Sequence, residues 1–451
     1  MIRGYPGRPG VRAGESLTLH VAGDEARFRI AIHRWEDGLV PVWRSNWLHA
    51  EQAPEGRADE DWEWPAYRVE TDADWPSGVY LAHFETPQGM PLRLSADRGA
   101  ALFVVRGEQA RQRMLYKLPV ATWHAYNSSG GACFYTNPPR AAQPPGARGS
   151  LRRPGGGIGG ETWGAPDHYD CRSARQTFAH WDARFIRWMA RNSYAADFCT
   201  DLDIHEQPEL LHGYRLLVSV GHDEYWTERT RDAVEDFVAD GGNLAFFGAN
   251  LCWWRIHLVD DASAMVCHQG SKQGAWDHWW PPTGAGRPED QLTGSSYRHG
   301  GGWWDGPRDT RGYVVQQPEH WVFAGTGFTR GDTLGRDTWP PLAGYECDGV
   351  PVDHVAPDGT ALLSAWRDEA GTPDGYQLLA ACPLDRRWQE LPPRERHGPG
   401  EGVHLAAMGV FRRGGTVFSA GTTDWAQVLG DARDRQVERI TRNVLDRLGA
   451  D

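Results

Sequence analysis

Across residues 16–106 the chain alternates apolar and polar positions in short runs, SLTLHVAG, ARFRIAIHRW, PSGVYLAHFE and AALFVVRG, interrupted by Gly, Pro and Asp. A period of two sends alternate side chains to opposite faces, so each run predicts a strand with one buried face. About a hundred residues of this kind suit a small β-sandwich of two sheets. The polar segment 108–113 ends the pattern, and a domain boundary is expected near residue 108, giving a first domain over 1–108.

Beyond that point the rhythm changes. MLYKLPV and YRLLVSV are continuous apolar runs of the length of a buried strand, and ADFCTDLDIH also reads as a strand. FAHWDARFIRWMARNSY carries apolar residues at helical spacing. ERTRDAVEDFVADGG predicts an amphipathic helix ended by Gly241 and Gly242 and followed at once by the strand NLAFFGAN. The chain closes on GTVFSAGTTDWAQVLG and a helix over about residues 435–448. Alternating strands and helices predict an α/β domain over 109–451, with a mainly parallel sheet covered on both faces. Two stretches fit no element, the Gly/Pro-rich residues 127–170 and the Trp-rich residues 252–304, and both are expected as long loops around a site.

Composition narrows the function. With 40% hydrophobic and 24% charged residues, the 451-residue chain matches neither a disordered nor a membrane protein. A formal net charge of -13, and only two lysines (Lys117 and Lys272) among 47 basic residues, leave no basic stripe for nucleic acid. Seven widely spaced cysteines without a CxxC pair imply neither a disulfide framework nor a zinc ribbon. The start, MIRGYPGRPGVRAGES, has no apolar leader segment, so a reducing cytoplasm is the expected compartment. The 23 tryptophans outnumber the 14 Tyr and the 14 Phe; they are expected to wall a dry pocket, to hold an alkylammonium group, or to pack the loops.

The string GxGxxG at Gly155, Gly157 and Gly160 neither follows a strand nor opens a helix, and reads as loop. No GxSxG elbow, HExxH pair or P-loop is present. In open α/β sheets ligands lie beyond the carboxyl ends of strands. MLYKLPV is followed there by His124, Tyr126 and Asn127, YRLLVSV by His222, Asp223, Glu224 and Tyr225, and NLAFF by Asn250. Asp223 and Glu224 would suit a helix N-terminus. Four ionisable side chains at one strand end suit acid–base or metal chemistry.

The strings WPSGVY, LPVATWHAYNSSGG, SVGHDEYW, GGNLAFFGANLCWW and VFSAGTTDW, in that order, resemble the large (beta) subunit of N,N-dimethylformamidase. The resemblance covers most of the chain and does not include that subunit's extra N-terminal lectin-like domain. It implies an immunoglobulin-like first domain and a glutamine-amidotransferase/flavodoxin-like sheet in the second. It also implies a mononuclear iron, Fe(III), held by two tyrosinates and a glutamate, here Tyr80, Tyr126 and Glu224; three anionic oxygens suit a hard ferric ion, with zinc as the alternative. Tyr80 belongs to the sandwich, so Tyr135, and after it Tyr225, are its substitutes. Around the metal the resemblance implies His222, Asn250, Lys272 and Glu346, with Asp348 or Asp353 as replacements for the last. The implied activity is hydrolysis of a small N-substituted amide at a linear C–N bond, with water activated by the metal, His222 or a carboxylate as base and Asn250 at the oxyanion. A small partner subunit accompanies the family's large one; a homo-oligomer is the other expectation. The reading from a different class is a non-catalytic module that binds a metal, or presents Trp-rich loops to carbohydrate or peptide.

Overall fold

The computed structural model describes residues 1–89, 91–94, 98–136, 147–164, 167–269, 277–304, 306–308, 312–384, 388, 404–430 and 433–450. It is a mixed α/β fold in which strands outnumber helices among the described residues. The chain forms two compact units, one of residues 1–213, 225–230 and 254–277, the other of residues 214–224, 231–253 and 278–451. No helix among the described residues is long and apolar enough to cross a membrane.

In the first unit, strand Ser16–Gly23 alternates buried Leu17, Leu19 and Val21 with partly exposed neighbours, as its sequence period requires. Strands Ile2–Pro6 and Ala66–Glu70 flank it antiparallel. A second sheet runs in the order Gly10–Arg12, Ala100–Arg106, Gly78–Glu85, Arg27–Trp35 and Leu39–Arg44, parallel only at its first pairing. Phe28, Ile30, Ile32, Phe84, Phe103 and Val105 of this sheet share one core with Leu17, Leu19, Val21 and Val69 of the other. Two sheets each with an apolar face close on one another in this way. Tyr80 belongs to that core.

The remainder of the first unit departs from the sequence expectation in three places, one of them strand Ala147–Ser150, which lies inside the stretch 127–170 expected as loop and pairs antiparallel with Ala264–Cys267. ADFCTDLDIH splits into strand Asp197–Thr200, paired parallel with Met114–Leu118, and helix Asp201–Glu206. Thr200 Oγ1 accepts the Asp203 N–H and the Asp203 carboxylate accepts the Thr200 N–H, a capping box that starts a helix where the apolar pattern continues as strand. The Trp-rich stretch is not a loop throughout: WRIHLV is strand Trp254–Val259, with Trp254 and Ile256 buried and His257 exposed, paired antiparallel with Ala264–Cys267. The glycine-rich loop has positive φ at Gly155, Gly156 and Gly157, where a Cβ would come within 2.1 Å of Asn127, 2.4 Å of His124 and 2.6 Å of Trp123. These glycines let the loop lie against helix Val120–Ala125 and the residues after it.

In the second unit seven strands pair in the order Leu216–His222, Asn243–Ala249, Gly415–Ser419, Leu405–Arg413, Gln377–Pro383, Tyr313–Val315 and Thr333–Leu334. The first three are mutually parallel and the later pairings are antiparallel, so this sheet is mixed where the alternation of strands and helices predicts a mainly parallel one. The difference comes from the tight turn between Leu405–Arg413 and Gly415–Ser419, which makes hairpin neighbours of strands read only in part from the sequence. Helix Glu228–Ala239 follows the Leu216–His222 strand, and Asn243–Ala249 follows the helix directly, as predicted. Asp434 caps the C-terminal helix Arg435–Gly449, which buries Val437, Ile440, Val444, Leu445 and Leu448. Strands Ser296–Gly302 and Glu346–Gly349 form a separate antiparallel pair in this unit.

Candidate functional site

The second unit gathers a buried acid–base cluster at the ends of two adjacent parallel strands. His222 is the last residue of Leu216–His222 and pairs in register with Ala249, so Asn250 follows one residue later on the neighbouring strand. Gly221 and Gly248 oppose each other one step earlier, and a Cβ on Gly248 would lie 2.3 Å from the Gly221 carbonyl oxygen. Only glycine allows the two strand ends to run this close.

His222 Nε2 lies 2.9 Å from Glu346 Oε2 and 3.4 Å from Glu224 Oε2. Asn250 Nδ2 donates to Glu346 Oε2 at 3.1 Å, and Trp304 Nε1 donates to Glu346 Oε1 at 3.3 Å. The Tyr345 ring meets the His222 ring edge-on. Burial alone would push His222 below its ordinary pKa, but the Glu346 and Glu224 carboxylates outweigh it and hold the imidazole above that value. Burial would raise Glu346; His222 and the hydrogen bonds from Asn250 and Trp304 keep it below the ordinary glutamate value. Both shifts favour the charged form of each partner.

Asn250 adopts φ 50°, in the left-handed region that Asn tolerates better than most residues. Its backbone N–H donates to Asp348 Oδ1 at 2.7 Å, and the Leu251 N–H donates to Asp348 Oδ2 at 3.3 Å. Burial drives the Asp348 carboxyl well above the usual range, against those two hydrogen bonds. Asn250 Oδ1 has no hydrogen-bond partner among the described residues. Asp353 is exposed and accepts a hydrogen bond from Ser364, so it is not part of this cluster. Asp223 accepts a 2.5 Å bond from Ser219 Oγ.

The first unit gathers phenols. Tyr126, which caps the C-terminus of helix Val120–Ala125, stacks on Tyr135 at 4.5 Å between ring centroids and meets Tyr225 edge-on at 6.4 Å. Tyr135 Oη lies 2.5 Å from Tyr225 Oη, and Gln269 Nε2 donates to Tyr225 Oη at 2.6 Å. Trp163 stacks on Tyr135. Tyr80 is placed differently: it has no exposed surface, it lies between Trp75 and Phe103, and its hydroxyl donates to the Pro76 carbonyl at 2.8 Å. Burial pushes its phenol up to about 12. Lys272 lies outside the described residues.

Of the sequence candidates, His222, Glu224, Asn250 and Glu346 are thus brought together in one unit and Tyr126, Tyr135 and Tyr225 in the other, while Tyr80 sits in the sandwich core. Trp304 and Tyr345, which complete the first cluster, are aromatic residues in segments without a periodic pattern, and only their nearness to GYECDG in the chain (Tyr345) or to a strand end (Trp304) hints at them. The tryptophans of the quoted strings, Trp123, Trp226 and Trp425 among them, are buried packing residues; Trp279, in the Trp-rich stretch, is buried too and has Arg231 and Arg287 over its ring.

A family model described as N,N-dimethylformamidase beta subunit-like, C-terminal, matches residues 27–438. The N,N-dimethylformamidase beta subunit of Paracoccus aminophilus is 26% identical over 285 residues, which cover 58% of this chain and 36% of that protein. The N,N-dimethylformamidase beta subunit of an Alcaligenes species is 25% identical over 286 residues, covering 59% of this chain and again 36% of the relative. The chain therefore matches little more than a third of the length of these relatives, and by the extent of the family match it belongs to the N,N-dimethylformamidase beta subunit-like family.

Proposed function

We propose that this chain carries the hydrolytic centre of a metal-dependent amidase acting on small N-substituted amides. The observation that carries the reading is the buried His222–Glu346–Glu224–Asn250 cluster at paired strand ends, within the region matched to the family. The donor chemistry suits the metal expected from the resemblance. Glu224 is buried, and Tyr126, Tyr135 and Tyr225 lie together, so oxygen donors of the kind a hard ferric ion takes are present. Tyr80 does not suit it, because a phenolate there would lose its bond to Pro76 inside an apolar core. The ligands proposed are Tyr126, Glu224 and, in place of Tyr80, Tyr135; the ion is Fe(III), or zinc. Such an ion supplies Lewis acidity toward an amide carbonyl and makes water more acidic.

The chain's own residues supply the rest. The Glu346 carboxylate is positioned to take up the proton of an attacking water, and a protonated His222 beside it to give a proton to the departing amine, the proton on Glu346 then returning to His222. Glu346 fixes the imidazole orientation and also the Asn250 amide, whose N–H can turn toward a developing oxyanion. Trp304 and Tyr345 exclude water beside them. The relatives are named as beta subunits, and a second kind of subunit for this chain is part of the proposal.

Purified protein is to be assayed for iron and zinc by elemental analysis and for amine release from N,N-dimethylformamide and other small amides. Wild type is expected to hold about one metal ion per chain at this centre; Glu224→Gln and Tyr126→Phe should lower the occupancy of this centre by about tenfold or more and abolish amine release. Tyr80→Phe should keep metal and activity. A wild type without metal and without amine release points to the non-catalytic binding module.

A further inference from the structure

In the first unit, the antiparallel strands Trp254–Val259 and Ala264–Cys267 pair with His257 opposite Val266. Residues two apart in a strand share a face, as do cross-strand partners, so Arg255, His257 and Val266 lie on one side of the pair, and His268, two residues past Val266, continues that side. Asp277 meets them there. Its Oδ1 lies 3.0 Å from His257 Nε2 and its Oδ2 lies 2.6 Å from His268 Nδ1. One ligating atom of each of the three residues falls within 4.8 Å of the other two.

The carboxylate is firmly placed. Oδ2 also accepts the His268 backbone N–H at 2.8 Å, the Asp277 N–H donates to the His268 carbonyl at 2.8 Å, and Arg255 Nη2 donates to Oδ1 at 3.2 Å. The Asp277 side chain is 4% exposed, whereas His257 is 43% and His268 27% exposed. A rigid buried carboxylate thus backs two imidazoles that water can reach. Burial would raise Asp277, but the bonds from His257 and His268 hold it well below the usual carboxylate range.

We propose that His257, His268 and Asp277 form a second metal site, for a zinc-class divalent cation, independent of the residues assigned to amide hydrolysis. Two imidazole nitrogens and one carboxylate oxygen are a donor set for zinc and its borderline neighbours, with a fourth position left to water. Calcium and magnesium, which take six or more oxygens, do not match it. On binding, the ring nitrogen of each histidine that faces Asp277 takes the metal, with its proton carried by the other ring nitrogen, and Arg255 keeps the carboxylate oriented. The site also has a reach: His268 is followed by Gln269, which donates to Tyr225 Oη, and Tyr225 Oη contacts Tyr135. A cation on His268 fixes the backbone that leads to the phenols.

Chelator-treated full-length protein titrated with zinc chloride by calorimetry tests this, comparing wild type, His257→Ala/His268→Ala and Glu224→Gln. Wild type and Glu224→Gln are expected to take up one equivalent of zinc that the double variant lacks, and zinc should raise the Tm of those two by an increment missing from the double variant. No zinc uptake by wild type, or equal uptake by wild type and the double variant, overturns the proposal. If the zinc-free double variant shows an altered circular dichroism spectrum, His257→Gln, at an exposed position, replaces it with the same outcomes. Glu224→Gln separates the two sites, since it should lose amine release yet keep the zinc equivalent at His257 and His268.

Discussion

Asn250 meets two demands at one position: a backbone at φ 50°, fixed by Asp348, and an amide that donates to Glu346. Two substitutions separate them. Asn250→Ala removes the amide and leaves a Cβ in the left-handed region, whereas Asn250→Gly removes the amide and suits the backbone. Both variants should lose amine release to the same extent, while urea melts should find the Ala variant less stable than the Gly variant by about 1 kcal/mol. Equal stabilities would mean that the left-handed backbone is not retained. At this scale the sequence was informative where polar residues sit at strand ends, because a strand that stops exposes the groups following it; His222, Glu224 and Asn250 were legible for that reason. Tyr80 was not separable from a ligand by pattern, since GVYLAHFE is buried along nearly its whole length and a phenol in such a strand reads the same either way. Tyr135 could be named only as a substitute, because its nearness to Tyr225 is a tertiary contact across 90 positions.

The strands Leu216–His222 and Asn243–Ala249 act as one element at their carboxyl ends, because Gly221 and Gly248 are opposed with no room for a side chain between them. Gly248→Ala would place a methyl group 2.3 Å from a backbone oxygen, which cannot move aside as a side-chain tip would. The ladder must open there, and the residues that follow the two glycines are His222 and, after Ala249, Asn250. The variant should lose about 1–3 kcal/mol of stability in a urea melt and most of its amine release; full activity would show that the strand ends do not depend on this contact. Elements with a strong local signal were the legible ones: the period-two strands of residues 16–106, the Glu228–Ala239 helix with its terminal glycines, and the Arg435–Gly449 helix all lie where their patterns put them. The misread elements had competing signals. The capping box of Thr200 and Asp203 turns an apolar run into a helix, and WRIHLV hides its alternation behind Trp, Arg and His. Sheet direction was illegible past Gly415–Ser419, since hairpin pairing depends on which strands are neighbours and not on their composition.

For the whole chain, a net charge of -13 and a sequence pI near 5.8 mean that mild acid reduces self-repulsion and by itself favours the folded state. One buried residue opposes that trend. His124 lies under the glycine-rich loop, its Nδ1 has no hydrogen-bond partner among the described residues, and burial together with the Arg153 guanidinium pushes its pKa down to about 3. An unfolded histidine binds its proton near 6.5. Between those values the unfolded chain holds a proton that the folded chain does not, so the stabilisation from a neutral His124 is complete above about pH 6.5 and is lost as pH falls toward 3, at about 1.4 kcal/mol per unit. His124→Leu removes this titration and leaves the backbone carbonyl that accepts from Arg153 in place. Unfolding free energies measured in urea at pH 7, 6 and 5 should therefore show wild type losing stability relative to the variant by about 1.4 kcal/mol between pH 6 and 5, with every other titrating group common to both chains cancelling in the difference. Parallel curves would show that His124 takes up its proton in the folded chain, and hence that the loop over it opens to water.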